Sequence, residues 1–411
     1  MRRSILLASA LATTLALTAC GSGEPSGGSS ADTDTSAAPA ASGSLTVWVD
    51  ETREAAVQAA AEAYEKESGV DVELVQKNFE DIRADFLAQV PTGEGPDITV
   101  GAHDWLGEFT ANGVVQPVEL GDKADDFLPV SVQAFTQDGQ VYGLPYAIEN
   151  IALIRNTELA PEAPKTYDDM IAAGKKAGTK FPFLIQSDGD KGDPYTYYPF
   201  QTSFGAPVFE QNDDGSYRPE LALGGENGEA FATWLSEQGE AGNLSTDISY
   251  DIAVEAFAKG RSPFVVGGPW MLDQFKDMKL AVDPIPAPGD QPAQPFVGVQ
   301  GFYVSAQSKN ALLANDFLVN YMSTPEAQTA LFEAGGRPPA LTEAADKASS
   351  DPLVAGFREV GASAVPMPSI PEMGSVWSFW GVTEASIISG KADDPAKAWD
   401  KMVSDIEGAL G

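Results

Sequence analysis

The chain has 411 residues, enough for two to three domains at ~150 residues each. Hydrophobic residues make up 43% and charged residues 21%, which excludes a largely disordered polymer. Against 25 Lys and Arg stand 60 Asp and Glu, and the net charge of −35 repels phosphate backbones and anionic headgroups, so a nucleic-acid partner is excluded. With one Cys and one His, neither an intramolecular disulfide nor a cysteine-rich zinc site can form, and no metal or cofactor is expected.

Met1-Arg2-Arg3 is a basic start, and Ile5 to Ala19 is an apolar run. That run is shorter than the ~20 residues a membrane-spanning helix needs and fits the core of a signal peptide. It ends in Leu17-Thr18-Ala19-Cys20, which resembles the bacterial lipobox. The resemblance implies a signal peptide over 1–19 and lipid attachment at Cys20. Residues 20–43 are nearly all Gly, Ser, Ala, Pro, Thr and Asp, a flexible tether that reaches roughly 25–30 Å. The expected location is the outer face of the cell membrane, held by the lipid anchor alone.

Leu45 to Val49 predicts a strand. A helix comes next, with Val57, Ala60, Ala61 and Tyr64 at i, i+3, i+4 and i+7 and Gly69 at its end. Val70 to Val75 alternates as a second strand, Phe79 to Val90 is helical, and Asp97 to Val100 is a third strand. A βαβαβ start of this kind predicts a mostly parallel sheet covered by helices. Further on, Thr166 with Asp169 has the spacing of a capping box. Asp213-Asp214-Gly215 is a turn signal, and Arg261 to Gly267 is a strand. Pro325 and Pro395 each open a helix, the second with Trp399, Met402, Val403 and Ile406 on one face. Proline-rich Asp283 to Pro295 is a crossing loop.

Several stretches then resemble, in order and spacing, the maltose/maltodextrin-binding proteins of ABC importers, in the extracellular sugar-binding superfamily. They are Gly95-Pro96-Asp97-Ile98 with Ala102-His103-Asp104; Tyr146-Ala147-Ile148-Glu149 with Ile154-Arg155-Asn156; and Ala163-Pro164-Lys165-Thr166-Tyr167. Gly267-Gly268-Pro269-Trp270, Pro295-Phe296-Val297-Gly298-Val299 and Met367-Pro368-Ser369-Ile370-Pro371-Glu372-Met373 come after them. The resemblance implies an α/β, two-lobed, periplasmic-binding-protein-like fold of type II, with mixed, mostly parallel sheets and three hinge crossings near 148–151, 297–301 and 347–352. One lobe would be 44–148 plus 302–347 and the other 152–297 plus 353–411. It also implies a monomer that captures an oligosaccharide between the lobes and passes it to the permease subunits of an importer.

Sugars are held by carboxylates that accept from paired hydroxyls and by rings that cover C–H faces. The resemblance assigns ligand contacts to Asp50, Arg53, Asp104, Glu149, Asp193, Tyr195, Tyr250, Trp270 and Trp377, with Phe296 and Met367 as cleft floor. Each has a plainer alternative: a helix N-cap for Asp104, an exposed first-turn charge for Arg53, a solvated hinge acid for Glu149, a turn acid for Asp193, and core packing for the rings. The sequence also departs from the family. Gly101 stands where the family has a tryptophan, Trp105 and Gly381 where it has arginines, Leu272 where it has a second tryptophan, and Thr52 where it has an acid. Trp105 would restore an aromatic surface one step away, and is counted with the ligand residues. His103 would help Asp104 or pack. Asp188 to Asp193 faintly resembles a calcium loop but lacks the EF-hand pattern, so a solvated acidic loop is expected.

Two other classes remain open at this point. One is a secreted glycoside hydrolase using Asp104, Glu149 or Asp193. The other is a receptor of the same fold for another sugar, such as trehalose, or for a polyamine.

Overall fold

In a computed structural model, which describes residues 43–212 and 217–411, the architecture is built on two sheets. The first grows from Ser44–Val49, where Leu45, Val47 and Val49 are fully buried and Trp48 is nearly so. Burial on both faces is what a parallel strand requires. The strand pairs in parallel with Asp71–Gln76 and with Ile98–Ala102. The helix Glu54–Ser68 lies between the first two, buries Val57, Ala60, Ala61 and Tyr64, and stops where Gly69 takes φ 76°. The βαβαβ start is therefore as the periodicity predicts.

The sheet then changes character. Phe296–Ser305 pairs antiparallel with Ile98–Ala102, Gly143–Asn150 and Val115–Gln116, and parallel only with Val365–Pro366. In the second sheet, Phe264–Gly267 and Leu280–Asp283 flank Ala152–Asn156, both antiparallel. The sheets are mixed, as expected, but the expectation that they are mostly parallel is corrected. The antiparallel partners are far apart in sequence, Ala152–Asn156 with Phe264–Gly267 and Gly143–Asn150 with Phe296–Ser305, so long connections that would permit parallel pairing return antiparallel here. Ile151 alone separates Gly143–Asn150 from Ala152–Asn156, and there the chain passes from the first sheet to the second. The expected crossing at 297–301 lies inside one unbroken strand.

One irregularity shapes the strand Gly143–Asn150. Opposite Phe296–Ser305, Gln300 faces Ala147 while Gly301 faces Pro145, so Tyr146 is an extra residue on its strand. Pro145 has no N–H to give the ladder, and a bulge is where a strand tolerates it. The bulge re-aims Tyr146.

The local signals in the later chain hold. Thr166 and Asp169 form a reciprocal capping box. Pro325 and Pro395 open helices capped by Thr324 and Asp394, and Trp399, Met402 and Ile406 are buried on the last one. Asp213-Asp214-Gly215 lies outside the described residues, as do 1–42 with Cys20. The strands on either side of residues 213–216, Phe209–Gln211 and Tyr217–Leu221, pair antiparallel. One apolar core runs from Leu45 and Phe86 through Phe302 to Phe231 and Trp399. A smaller one packs on the second sheet around Ile154, Phe257, Val265 and Phe275. Among the described residues, no helix is long and apolar enough to cross a membrane.

Candidate ligand-binding site

Ser44–Val49 and Ile98–Ala102 run side by side in parallel, so their carboxyl ends deliver Asp50 and the His103-Asp104 pair to the same edge of the sheet. In open α/β sheets that edge is where ligands bind. Asp50 is fully buried. Its Oδ1 accepts from the Thr52 backbone N–H at 3.0 Å, and its Oδ2 accepts from Arg53 Nη1 at 2.6 Å. Arg53 is only 4% exposed, so it is no surface charge. Its Nε donates to the Tyr146 hydroxyl at 2.8 Å, its Nη2 lies 3.8 Å from Glu149 Oε1, and its guanidinium sits 4.7 Å over the Phe79 ring. Burial would raise the Asp50 carboxyl, but the Arg53 charge and the Thr52 hydrogen bond outweigh it and hold the group below its ordinary value. Burial likewise opposes the Arg53 charge, and Asp50, Tyr146 and Glu149 overrule it.

Glu149 is 5% exposed and paired, not solvated. Gln300 Nε2 donates to its Oε1 at 2.8 Å, and Arg337 Nε donates to its Oε2 at 3.0 Å. Arg337 also donates to the Thr52 carbonyl at 3.2 Å and the Thr52 hydroxyl at 2.8 Å. The replaced acid at Thr52 thus still serves the site, as a bridge between Asp50 and Arg337. Arg337 reaches this place through local chain geometry. Gly336 at φ 69° ends the helix Pro325–Gly335, and Pro338 and Pro339 then run beside the bulged strand, where Pro338 O accepts from Ile148 N–H. The Arg337 guanidinium lies 6.0 Å from the Trp270 ring, and its charge is felt at the Tyr250 hydroxyl, which burial raises and Arg337 lowers. Arg337, Tyr146 and Gln300 are absent from the sequence-based assignment. A helix-stopping glycine followed by Arg-Pro-Pro was the available signal.

Asp104 caps neither of the short helical segments beside it. It is 7% exposed, and its Oδ1 receives no hydrogen bond from the described residues. Burial pushes its carboxyl up to about 6, against the Arg83 charge, its own backbone N–H and the Trp377 indole. His103 is a packed bridge: Val299 N–H donates to Nδ1 at 3.1 Å, and Nε2 lies 3.0 Å from Met367 O, an arrangement that suits the neutral Nε2–H tautomer. Burial lowers its pKa to about 4.

Trp105 departs from expectation. It is buried at 7% exposure between Phe79 and Phe109, with its ring folded over Gly101. A Cβ at residue 101 would lie 2.4 Å from Trp105 Cζ3, so the missing side chain is what lets the ring turn inward. It is a wall behind Phe79, not an exposed face. Gly381 has a similar explanation: a Cβ there would lie 2.2 Å from Lys191 O.

Asp193 does the turn acid's work. It caps Pro194–Ser203, accepting from Thr196 N–H at 3.1 Å, the Thr196 hydroxyl at 2.8 Å and Gln186 Nε2 at 2.6 Å. Burial raises it, and these bonds pull it back. Tyr195 lies in the first turn of that helix and stacks on Phe296 at 6.2 Å. Burial drives its hydroxyl pKa well up, with Glu149, Asp193 and Asp104 adding to the rise and Arg53 opposing it. Four charges from four separate segments therefore converge on Tyr195. Trp377 stacks on buried Trp380 at 5.4 Å. The acids of the loop before Asp193 are paired with lysines, Asp188 with Lys191 and Asp190 with Lys391. No metal-holding group of three His, Cys, Asp or Glu occurs among the described residues.

The profile of the bacterial extracellular solute-binding proteins matches residues 59–356. A galactooligosaccharide-binding protein of Bacillus subtilis is 27% identical over 97% of this chain and 95% of its own. A maltooligosaccharide ABC transporter solute-binding lipoprotein of Streptococcus pneumoniae is 29% identical over 98% of this chain and 96% of its own. The structure of the Thermus thermophilus maltotriose-binding protein bound with maltotriose superposes with a TM-score of 0.82, at 34% identity, over 89% of this chain and all of that one. The fold is accordingly the two-lobed periplasmic-binding-protein type, and the chain belongs to the bacterial extracellular solute-binding protein family.

Proposed function

We propose that this protein is a lipid-anchored receptor for malto-oligosaccharides, which it holds between two lobes and hands to the permease of an ABC importer. The observation that carries the reading is that, of the buried side-chain oxygens that receive no donor from the described residues, two, Asp104 Oδ1 and Gln300 Oε1, belong to the site residues, Gln300 as the partner of Glu149. Buried acceptors need donors, and a polyhydroxyl ligand brings them without bringing charge. The Trp377 indole hydrogen-bonds Asp104, and Trp270 lies 6.0 Å from the guanidinium of Arg337, which pairs with Glu149, so ring faces are available to the same ligand. The names of the pneumococcal and Thermus relatives support the sugar, the importer and the anchor at Cys20.

The carboxylates speak for binding over hydrolysis. A glycosidase needs a free acid and a free base or nucleophile around one bond. Here both Glu149 oxygens are tied to Gln300 and Arg337, and Asp193 is tied to Thr196 and Gln186. The lobes are 44–148 plus 302–347 and 152–297 plus 353–411, and ligand raises the closed population by its differential affinity.

Titration calorimetry with maltotriose tests the site. Trp270→Ala and Trp377→Ala are each expected to weaken binding at least tenfold, about 1.4 kcal/mol; unchanged affinity in both would sink the assignment. Proton linkage gives a second expectation. Ligand hydroxyls donate to ionised Asp104, whose pKa is about 6, so protonation competes with binding. Affinity is expected to fall by roughly tenfold from pH 7.5 to pH 5, and Asp104→Asn to flatten that dependence. An affinity that rises with acidity would contradict it.

A further inference from the structure

A cavity of about 740 Å³ lies apart from the residues just described; none of Asp50, Arg53, Asp104, Glu149, Tyr195, Trp270 and Trp377 lines it. It is walled by the end of the helix Pro194–Ser203, the hairpin Phe209–Gln211 with Tyr217–Leu221, the start of the helix Gly225–Glu240, and the loop 288–294. That loop belongs to the proline-rich stretch for which the fold alone offers no use. The volume falls in the ~300–1,000 Å³ range of small-ligand sites.

The lining has a definite chemistry. Half-buried Phe204 and Tyr217 present ring surface, with Tyr198 behind them. Asn227, Gln291 and Gln294 present amides. No Lys or Arg lines the cavity, and its two acids, Glu210 and Asp290, are exposed. An anion therefore finds no counter-charge. A cation finds Glu210 already paired with Arg218 at 3.4 Å. Rings alternating with amides suit a neutral ligand with apolar faces and hydroxyl edges.

The wall is also held in place. Gly289 N–H donates to Ser203 Oγ at 3.0 Å and Gln291 N–H to Ser203 O at 2.8 Å, which straps the loop to the helix end. A Cβ at residue 289 would lie 2.2 Å from Ser203 O, so this approach requires glycine. Gln294 Nε2 donates to Ser363 O at 2.9 Å, and Asn227 Nδ2 to Gly205 O at 2.8 Å. Amides fixed in this way lose little freedom when a ligand arrives.

We propose that this cavity is a second carbohydrate site, binding a neutral oligosaccharide more weakly than the site around Tyr195 and Glu149. The ligand class rests on the sugar-receptor reading; the location does not. The two sites approach each other through one ring, since Tyr195 and Tyr198, one helical turn apart, both stack on Phe296, at 6.2 and 3.6 Å.

The test is titration of the full chain with maltoheptaose and with a galacto-oligosaccharide, carried to millimolar sugar. Ala230→Trp blocks the rim from the helix Gly225–Glu240, and Gln291→Trp does so from the loop 288–294 should the first variant fail to fold. Wild type is expected to bind two sugars per chain. The rim variants are expected to lose the weak event at least tenfold and keep the tight one, while Trp270→Ala does the reverse. One sugar per chain, bound alike by wild type and both rim variants and lost in Trp270→Ala, overturns the cavity site and leaves the receptor reading standing. No binding of either sugar by wild type overturns both.

Discussion

Replacing Arg337 by alanine is expected to destabilise the protein by about 3 kcal/mol, toward the lower end of the ~3–5 kcal/mol lost when one partner of a buried ion pair is removed. Both partners are about 5% exposed at the side chain, and Arg337 Nε is the 3.0 Å donor to Glu149 Oε2. Its loss leaves Glu149 with the Gln300 amide at 2.8 Å and Arg53 at 3.8 Å. It also strips the Thr52 carbonyl and hydroxyl of their bonds to Arg337. Because much of the cost is an uncompensated buried charge, adding Glu149→Gln to the Arg337→Ala variant is expected to recover part of it. Urea midpoints of the two single variants and the double variant, read at constant m-value, measure the coupling. A loss below about 1 kcal/mol for the single variant, or strict additivity, would show that the pair does not hold the site together.

Acid should act on His103 and Asp104 in opposite directions. Folded His103 stays neutral down to about pH 4, whereas an unfolded His takes its proton near its ordinary value of 6.5. Its contribution is therefore intact above pH 6.5 and is lost as pH falls toward 4, about 3 kcal/mol in all. Folded Asp104 takes its proton near pH 6, against an ordinary 3.8. Its burial penalty is present above pH 6 and is relieved as pH falls toward 3.8, a gain of about 3 kcal/mol. Between pH 6 and 4 the neighbours largely cancel. Asp104→Asn is expected to uncover the histidine: the variant is more stable than wild type at pH 7, and that advantage shrinks by about 3 kcal/mol by pH 4. Parallel stability–pH curves for the two proteins would contradict this.

What was legible in the sequence was local. The i, i+3, i+4, i+7 spacing from Val57 to Tyr64, the Thr166–Asp169 capping box and the prolines at 325 and 395 act within one or two turns, and each formed the element it predicted. Asp50 and Asp104 were legible through the family resemblance, and the parallel pairing of the strands before them is what brings them to one edge. The pairing of later strands was not. Strand propensity is the same for both directions, and the partners, such as Ala152–Asn156 with Phe264–Gly267, lie too far apart in sequence for local spacing to show how they run.

The centre of the site was the least legible part. Tyr146 meets Arg53 across 93 residues, and Arg337 meets Glu149 across 188. Neither contact leaves a spacing to read. The first depends on a bulge at Pro145 and the second on a left-handed glycine at 336. Gly101 and Trp105 make the same point: apart in role when read along the chain, they are one packed unit in space. By itself the sequence determined the helices, the leading strands and the chemical types available to a sugar site, since these follow from neighbouring backbone preferences. Only the tertiary structure decided which charges pair, since the energy of a buried ion depends on partners that long-range packing alone brings within hydrogen-bond distance.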